Sequence, residues 1–334
     1  MFARLAIVTI IALTSALTAN AQPRTLKLSI ERLDPRLDEI VPKDAKMEKL
    51  ADGFDWSEGP VWNSKDQYLI FSDIPKNTIW KYTAEKGIEL FMKPSGYTGK
   101  SPFTGSEPGS NGLAYDKSGA LILCQHGDRC VLRIAKDGTK TVLADKYMGK
   151  RLNSPNDLTF HSSGSIYFTD PPYGLPKQMD DKEKELDFQG VYRLSPDGKE
   201  LTLLTKEMTR PNGIALSPDE KTLYVANSDP KMAIWKAFPV KEDGTIGEGK
   251  VFFDTTKWVG DKPGLPDGMK VDTKGNIYAT APGGVMIFSP DGTHLGTLST
   301  GVPTANCGWG NDGHTLYITA DKSLVKIPLK TKGW

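Results

Sequence analysis

Long apolar runs are missing from most of this sequence. After residue 21, no stretch approaches the roughly 18 to 20 apolar residues that a membrane-spanning helix needs. Positive and negative side chains nearly cancel, leaving a formal net charge of +1 on 334 residues. Because nucleic acids and anionic membranes are bound through an excess of basic side chains, we expect neither as a partner.

The common motifs of hydrolases and nucleotide enzymes are also missing. There is no Gly-x-Ser-x-Gly nucleophile elbow, no His-Glu-x-x-His zinc motif and no phosphate-binding loop. Residues 308–313 match a dinucleotide-binding glycine pattern, but they precede a predicted strand where that pattern requires a helix. Serine-esterase, zinc-protease and nucleotide-dependent functions are therefore unsupported.

Cysteine is scarce, with three residues in the whole chain. Cys124 and Cys130 flank a short segment typical of a hairpin, and an oxidising compartment would permit a disulfide between them. The alternative is that both are ordinary small buried side chains, and the sequence leaves the two interpretations open. Nothing beside Cys307 indicates a catalytic thiol.

The first 21 residues have the composition of a secretory signal. Arg4 precedes an apolar run at residues 5–17, and Ala19-Asn20-Ala21 fits a cleavage site. The sequence predicts export to the periplasm or the medium, a mature chain starting near Gln22, and no membrane association after cleavage. Residues 22–45 are predicted to form a mostly irregular leader.

One strand pattern recurs six times in the rest of the chain. Each copy is short, rich in β-branched and aromatic residues and preceded by a turn, as expected of strands rather than helices. The copies occupy residues 68–73, 120–125, 165–170, 222–227, 276–281 and 315–320.

The six copies belong to longer repeats. Each copy is followed by a second strand and, in the first five repeats, by a third, outer segment; an unattached match lies at residues 46–51. Radial repetition of four-stranded sheets leaves only short, protected edges. We therefore predict one all-β domain over residues 46–334, a six-bladed β-propeller whose ring is closed by an N-terminal strand completing the last blade.

A polar residue opens the strand before each copy, nine or ten positions upstream. In a propeller the innermost strands line the central channel, so equivalent positions form a ring at one depth. The six residues are Glu58, Asn111, Asn156, Asn212, Asp267 and Asn306. Asn-Gly and Asp-Gly are common turn dipeptides, but six copies in register favour a functional ring over six separate turns.

This ring offers oxygen ligands only, from two carboxylates and four amides. Such a set suits a hard cation, whose lost hydration must be offset by negative charge. Zinc prefers His and Cys, which the ring lacks. The sequence therefore predicts Ca²⁺, with Mg²⁺ and Mn²⁺ as alternatives and Zn²⁺ disfavoured.

Five short motifs carry a family resemblance. They are Ser-Glu-Gly-Pro-Val-Trp at residues 57–62, Asn-Ser-Pro-Asn-Asp-Leu at 153–158, Tyr-Phe-Thr-Asp-Pro-Pro-Tyr-Gly at 167–174, Arg-Pro-Asn-Gly at 210–213 and Pro-Asp-Gly-Met at 266–269. With them the sequence resembles the SMP-30/gluconolactonase/LRE-like family, six-bladed propellers that include Ca²⁺-dependent lactonases. The resemblance implies Glu58, Asn212 and Asp267 as metal ligands, with Asn156 beside the metal as a ligand or substrate contact.

The resemblance also implies an activity, metal-dependent hydrolysis of a sugar lactone. The cation would polarise the carbonyl and a carboxylate would activate water; Asp267 or Asp157 is the candidate base. The expected substrate contacts are Asn156, Asn111, His126, Asp170 and Tyr173. Two long loops, residues 94–110 and 175–188, are expected to rim the metal-bearing face, because specificity often resides in such loops.

Two other functions stay open at this point. One is a phosphotriesterase or aryl-esterase activity, since a central Ca²⁺ could polarise a P=O bond as readily as a C=O bond. The other is a non-catalytic binding propeller with a structural metal. Four ligands leave open positions on a cation that takes six or more, which favours catalysis. The sequence predicts no particular oligomeric state.

Overall fold

A computed structural model describes residues 25–334, which form a ring of six antiparallel sheets. The innermost strands of the sheets contact one another in order around the ring, and the last contacts the first. The predicted all-β six-bladed propeller is confirmed. The predicted signal peptide, residues 1–21, lies outside the described residues.

Blades 1 to 3 each have four strands that run in chain order from the channel outward. Blade 1 contains Ser57–Asn63, Tyr68–Asp73, Thr78–Thr83 and Gly87–Met92. Blade 2 contains Ser110–Tyr115, Leu121–Gln125, Cys130–Ile134 and Lys140–Ala144. A two-stranded hairpin follows, formed by Lys146–Tyr147 and Lys150–Arg151. Blade 3 contains Leu158–Phe160, Ile166–Asp170, Gly190–Leu194 and Leu201–Thr205.

Blades 4 to 6 repeat this plan. Blade 4 contains Pro211–Leu216, Thr222–Asp229, Met232–Pro239 and Lys250–Asp254. Blade 5 contains Met269–Val271, Ile277–Ala281, Gly284–Phe288 and His294–Ser299. Blade 6 takes three strands from the end of the chain, Thr304–Gly310, Thr315–Ala320 and Ser323–Pro328.

Helical structure within residues 25–334 is limited to short 3₁₀ turns. These turns are Pro35–Glu39, Gln178–Asp180 and Thr256–Trp258. In this part of the chain no helix is long and apolar enough to cross a membrane.

The sixth blade is completed from the other end of the chain. Strand Glu48–Asp52 pairs antiparallel with Ser323–Pro328, with Glu48 opposite Lys326 and Asp52 opposite Ser323. This is the closure predicted from the unattached match at residues 46–51. It leaves the last blade four-stranded like blades 1 to 4, with its third strand paired on both sides.

The segment before that strand packs on blade 5. Strand Ser29–Arg32 pairs with His294–Ser299 and adds a fifth strand to blade 5. The 3₁₀ turn that follows begins at Asp34, whose side chain accepts a hydrogen bond from the Arg36 amide, and it buries Leu37. Within the predicted leader, residues 22–45, the described part from residue 25 thus holds one strand and one 3₁₀ turn and is otherwise irregular. Its contact with the end of blade 5 begins at Lys27, whose amide donates to the Thr300 carbonyl oxygen.

The two cysteines of the blade 2 hairpin point to opposite faces of their sheet. Cys124 packs in the apolar cluster that contains Phe168 of blade 3, whereas Cys130 packs in the cluster that contains Ile79 of blade 1. The reason is strand alternation: Cys130 pairs with Gln125, the neighbour of Cys124 along the strand. Both thiols are free and buried, so the disulfide interpretation is wrong for this structure.

Candidate functional site

Five of the six ring residues line one cavity at an end of the channel, with a volume of about 340 Å³. These five are Glu58, Asn111, Asn156, Asn212 and Asp267. The sixth, Asn306, is buried beside Glu58 and donates a hydrogen bond from Nδ2 to Glu58 Oε2 at 3.0 Å. The repeat register therefore brings all six side chains together, as predicted.

The ring residues project into the channel because the inner strands are irregular where they start. In four blades the pairing register shifts there, for example between Glu58 and Val61 and between Pro211 and Ile214. In blades 3 and 5 the inner strand begins two residues after Asn156 and Asp267. Bulges and strand ends re-aim side chains away from the regular ladder.

The glycine after a ring residue is required by close packing between blades. A Cβ atom on Gly59 would lie 2.2 Å from the carbonyl oxygen of Asn111, and one on Gly213 would lie 2.1 Å from the carbonyl oxygen of Asp267. In both cases the obstacle is the ring residue of the next blade. The Asn-Gly and Asp-Gly dipeptides thus serve the ring itself and are not separate turns.

Hydroxyl side chains of the second strands hold the ring backbone in place. Ser72 Oγ donates to the carbonyl oxygen of Asn111 at 2.8 Å, and Thr169 Oγ1 donates to that of Asn212 at 2.7 Å. Thr280 Oγ1 donates to the carbonyl oxygen of Ala305, the residue that precedes Asn306, at 3.0 Å. These contacts were not predicted from the sequence, although a Ser or Thr at the fifth position of four of the six strand copies is the signal for them.

Four enclosed side-chain oxygens in the cavity accept no hydrogen bond from the described residues. They are the Oδ1 atoms of Asn111, Asn156, Asn212 and Asp267. Leaving a buried acceptor without a partner costs free energy, and one cation at the centre would satisfy several at once. The Glu58 carboxylate adds negative charge from the same wall, while its Oε2 accepts from the Gly59 amide at 2.7 Å.

The carboxyl groups around this cavity are under electrostatic strain. Burial raises the pKa of Glu58 and of Asp267. Repulsion from Asp157 raises both pKa values further, and repulsion from Glu58 also raises that of Asp267. A divalent cation would relieve that repulsion. No group of three or more His, Cys, Asp or Glu side chains within residues 25–334 is arranged to hold a metal. The donor set therefore depends on amide oxygens and fits a hard cation better than zinc.

Asp157 is buried next to the ring but does not line the cavity. Its Oδ1 accepts from the Leu158 amide at 2.9 Å, and its Oδ2 lies 3.5 Å from Asn306 Nδ2. Burial raises the pKa of this carboxyl. Because both oxygens are engaged within the channel wall, the geometry favours Asp267 over Asp157 as a proton acceptor.

The other predicted substrate contacts divide into two groups. Tyr173 lines the cavity. His126 is buried behind the cavity wall, with Nε2 3.5 Å from Asn156 Nδ2. Asp170 is also buried away from the cavity, and its Oδ2 accepts from the Asn153 amide at 2.8 Å. A direct substrate contact by Asp170 is not supported, and burial raises the pKa of this carboxyl to about 7.

Several cavity residues were not selected from the sequence. These are Trp56, Ile74, Glu107, Arg210, Ser228, Gly264, Leu265, Pro303 and Thr304. Arg210 stands inside the Arg-Pro-Asn-Gly motif, which was a usable signal, whereas nothing in the loop at residues 94–110 marks Glu107. That loop rims the cavity as predicted, but residues 175–188 contribute nothing to its lining.

Comparisons with known proteins place this architecture among characterised propellers. Residues 56–322 match the family described as SMP-30/Gluconolactonase/LRE-like region. The chain is 41% identical to a gluconolactonase of Zymomonas mobilis, over 96% of this chain and 93% of that protein. A solved gluconolactonase of Xanthomonas campestris is 32% identical, with a TM-score of 0.78 over 92% of this chain and 99% of its own. Regucalcin of Agrobacterium tumefaciens, a calcium-binding protein, shares the fold at 19% identity, with a TM-score of 0.67 over 86% of this chain and 94% of its own.

Proposed function

Because the chain belongs to the SMP-30/gluconolactonase/LRE-like family, we propose that it hydrolyses a sugar lactone and holds one Ca²⁺ in its channel cavity. The family predicted from the five motifs is confirmed by the match over residues 56–322. The observation that carries the metal part of the proposal is the set of enclosed oxygens without hydrogen bonds that faces one cavity beside Glu58.

Four residues would hold the ion, namely Glu58, Asn156, Asn212 and Asp267. When bound, Ca²⁺ supplies a positive charge that polarises the lactone carbonyl and stabilises the negative charge that develops on its oxygen. The calcium-binding regucalcin with the same fold supports this choice of ion.

The chain's own groups then handle the proton and the sugar hydroxyls. Asp267 Oδ1 faces the cavity free of hydrogen bonds from the described residues, so it can accept a proton from water as the water oxygen bonds to the carbonyl carbon. The ring C–O bond then breaks, and the departing oxygen takes up that proton to leave a hydroxy acid.

The remaining wall is suited to a polyol. Arg210 can donate hydrogen bonds, Glu107 can accept them, and Tyr173 and Ser228 can do either. Asn111 Oδ1 is a further acceptor beside the ion site. A lactone that carries several hydroxyl groups would satisfy more of these partners than an aryl ester or a phosphotriester would.

Lactone hydrolysis and the two roles of Asp267 can be tested together. Glucono-1,5-lactone hydrolysis, followed in a pH-stat, should stop on chelation and return with added Ca²⁺. Asn212→Ala removes a ligand and should regain activity at excess Ca²⁺, whereas Asp267→Asn should stay inactive because it also removes the base. Asp261→Asn, at an exposed position, is the matched control.

Substrate class is decided by parallel assays. The same Ca²⁺-loaded protein should hydrolyse the lactone faster than an aryl ester or an organophosphate triester. A folded, Ca²⁺-binding protein with no rate above background on any lactone would overturn the proposal.

Export is proposed as well. It rests on the composition of residues 1–21, with a single Arg4, an apolar run and Ala19-Asn20-Ala21. N-terminal sequencing of the protein from a periplasmic or medium fraction should begin at Gln22, and a start at Met1 would contradict it.

A further inference from the structure

Three residues form a line of contacts that ends at the cation site. Glu107 Oε2 lies 3.0 Å from His126 Nδ1 in a charge contact that is not aligned as a hydrogen bond, and His126 Nε2 lies 3.5 Å from Asn156 Nδ2. His126 is fully buried and Asn156 is 1% exposed. The enclosed Oδ1 of Asn156 then faces the cavity without a hydrogen bond from the described residues.

The chemistry of Glu107 determines which imidazole nitrogen carries the proton. A carboxylate has no proton to donate and repels a lone pair, so the charge of Glu107 favours the proton on the nearby Nδ1 of His126. With the proton on Nδ1, Nε2 presents a lone pair to Asn156. An asparagine side chain can meet a lone pair only with its NH₂ group, and this leaves its oxygen on the other side.

The opposite arrangement would spoil the site. If Nε2 carried the proton, it would attract the oxygen of Asn156 and turn the NH₂ group towards the cation. Moreover, the lone pair on Nδ1 would then face the Glu107 carboxylate. Glu107 therefore selects the tautomer, and the tautomer selects the orientation of the amide, as outer partners orient the ligands of metals in other proteins.

Packing holds the imidazole in this position. A Cβ atom on Gly174 would lie 2.6 Å from the His126 carbonyl oxygen and 2.7 Å from its Cβ. The Tyr173 ring centroid is 6.5 Å from that of His126. The Pro-Pro-Tyr-Gly segment thus lies directly against the histidine, and only glycine at position 174 leaves room for it.

We propose that Glu107 and His126 are positioning residues, which lock the Asn156 amide with its oxygen towards the bound cation and substrate. This inference rests on the proposed Ca²⁺-dependent lactonase function. It assigns Glu107 a role that no sequence motif indicated. It also changes the role of His126, which was expected to contact the substrate and is now proposed to orient the Ca²⁺ ligand Asn156.

Two substitutions of His126 separate the contacts. Gln reaches far enough to place an acceptor near the position of Nε2, so His126→Gln retains a partner for Asn156. Asn is shorter and can place a polar atom only near the position of Nδ1, so His126→Asn leaves Asn156 without this partner. Glu107→Gln replaces a group that can only accept hydrogen bonds with one that can also donate to Nδ1. The proton of His126 is then no longer held on Nδ1.

The readout is Ca²⁺ affinity of the full mature chain by titration calorimetry, together with KM and kcat for glucono-1,5-lactone. We expect His126→Asn and Glu107→Gln to weaken Ca²⁺ binding about tenfold, and His126→Gln to weaken it less than either. The rise in KM should follow the same order. Circular dichroism and the thermal midpoint of the Ca²⁺-free proteins report any general loss of structure.

A second His–Glu pair provides the matched control. His161 Nε2 lies 3.3 Å from Glu220 Oε2, and neither residue lines the candidate site. His161→Asn and Glu220→Gln should leave Ca²⁺ affinity and KM unchanged.

The outcomes distinguish this inference from the proposed function. If the parent protein binds Ca²⁺ but His126→Asn and His126→Gln match it in affinity and KM, the positioning role is wrong and the function stands. If the parent binds Ca²⁺ and the order holds while no lactone is hydrolysed, the positioning role stands and the substrate is wrong. If the parent binds no Ca²⁺, both are overturned.

Discussion

Gly213 lies directly against the backbone of Asp267 in the next blade, so closely that a Cβ atom would be 2.1 Å from the Asp267 carbonyl oxygen. The neighbouring Asn212 and Asp267 are both assigned to the ion. The distance between these two ligands is therefore fixed by a contact in which one partner has no side chain.

Adding one methyl group at this contact should open the ring. For Gly213→Ala we expect a loss of about 2 to 3 kcal/mol in the free energy of unfolding, since a packed interface cannot absorb the extra atom. Calcium affinity should fall with it. Chemical denaturation and calorimetry are the measurements. Gly138→Ala is the control: its φ is +85° but nothing lies within 4 Å of the new atom, so it should cost about 1 kcal/mol through strain and leave Ca²⁺ affinity intact.

Calcium should stabilise the folded chain. A ligand that binds only the native state adds about 2.7 kcal/mol at a hundred times its Kd, so the thermal midpoint should rise with Ca²⁺ and fall with chelator. Glu58→Gln should largely remove this response, because it deletes one of the two charges that offset the ion. Glu85→Gln, in an exposed turn of the same blade, should respond like the parent. A parent midpoint that ignores Ca²⁺ would contradict the site.

All three cysteines should be free thiols. Cys124 and Cys130 face opposite sides of their sheet, and the three sulfur-bearing side chains are buried. Unfolded, unreduced protein should therefore react with three equivalents of a thiol reagent, and the folded protein should react slowly. Cys130→Ala should lower the count to two. Detection of a single thiol in the unreduced parent would indicate a disulfide.

Asp170 should make stability depend on pH. Burial raises the pKa of its carboxyl from 3.8 to about 7, although Arg129 and Lys184 oppose the shift. The folded protein therefore holds a proton that the unfolded chain has released. This contribution is complete below about pH 4 and is lost as the pH rises through about 7. In saturating Ca²⁺, the free energy of unfolding of Asp170→Asn, measured by urea denaturation, should fall less than that of the parent between pH 5 and pH 8. Parallel curves for the two proteins would refute the assignment.

The sequence was sufficient for the parts of the site that repeat. Glu58, Asn212 and Asp267 occupy equivalent positions in their repeats, so the register alone places them at one depth of the channel. The strand at residues 46–51 was found for the same reason, because it matches a segment that the sixth repeat lacks. Because the repeats fold alike, the place of a residue within its repeat predicts its depth in the channel.

Parts that do not repeat were not predictable in this way. Glu107 stands in a long loop, and its approach to His126 depends on how that loop folds over blade 2. Asp170 lies at the end of its strand, where a site residue could stand, yet its side chain is buried, accepts a hydrogen bond from the Asn153 amide and does not line the cavity. The cysteine pair was ambiguous because hairpin spacing says nothing about which face of the sheet each side chain takes.

The pairing of Glu48–Asp52 with Ser323–Pro328 also sets an order of events during biosynthesis. A strand made early must wait, unpaired, until the last hairpin of the chain has emerged, and unpaired edges are prone to wrong partners. Glu58 likewise meets Asn306 only after the sixth blade exists. A chain that still lacks the sixth blade therefore lacks the hydrogen bond from Asn306 to Glu58, and the channel wall beside this ligand is completed last.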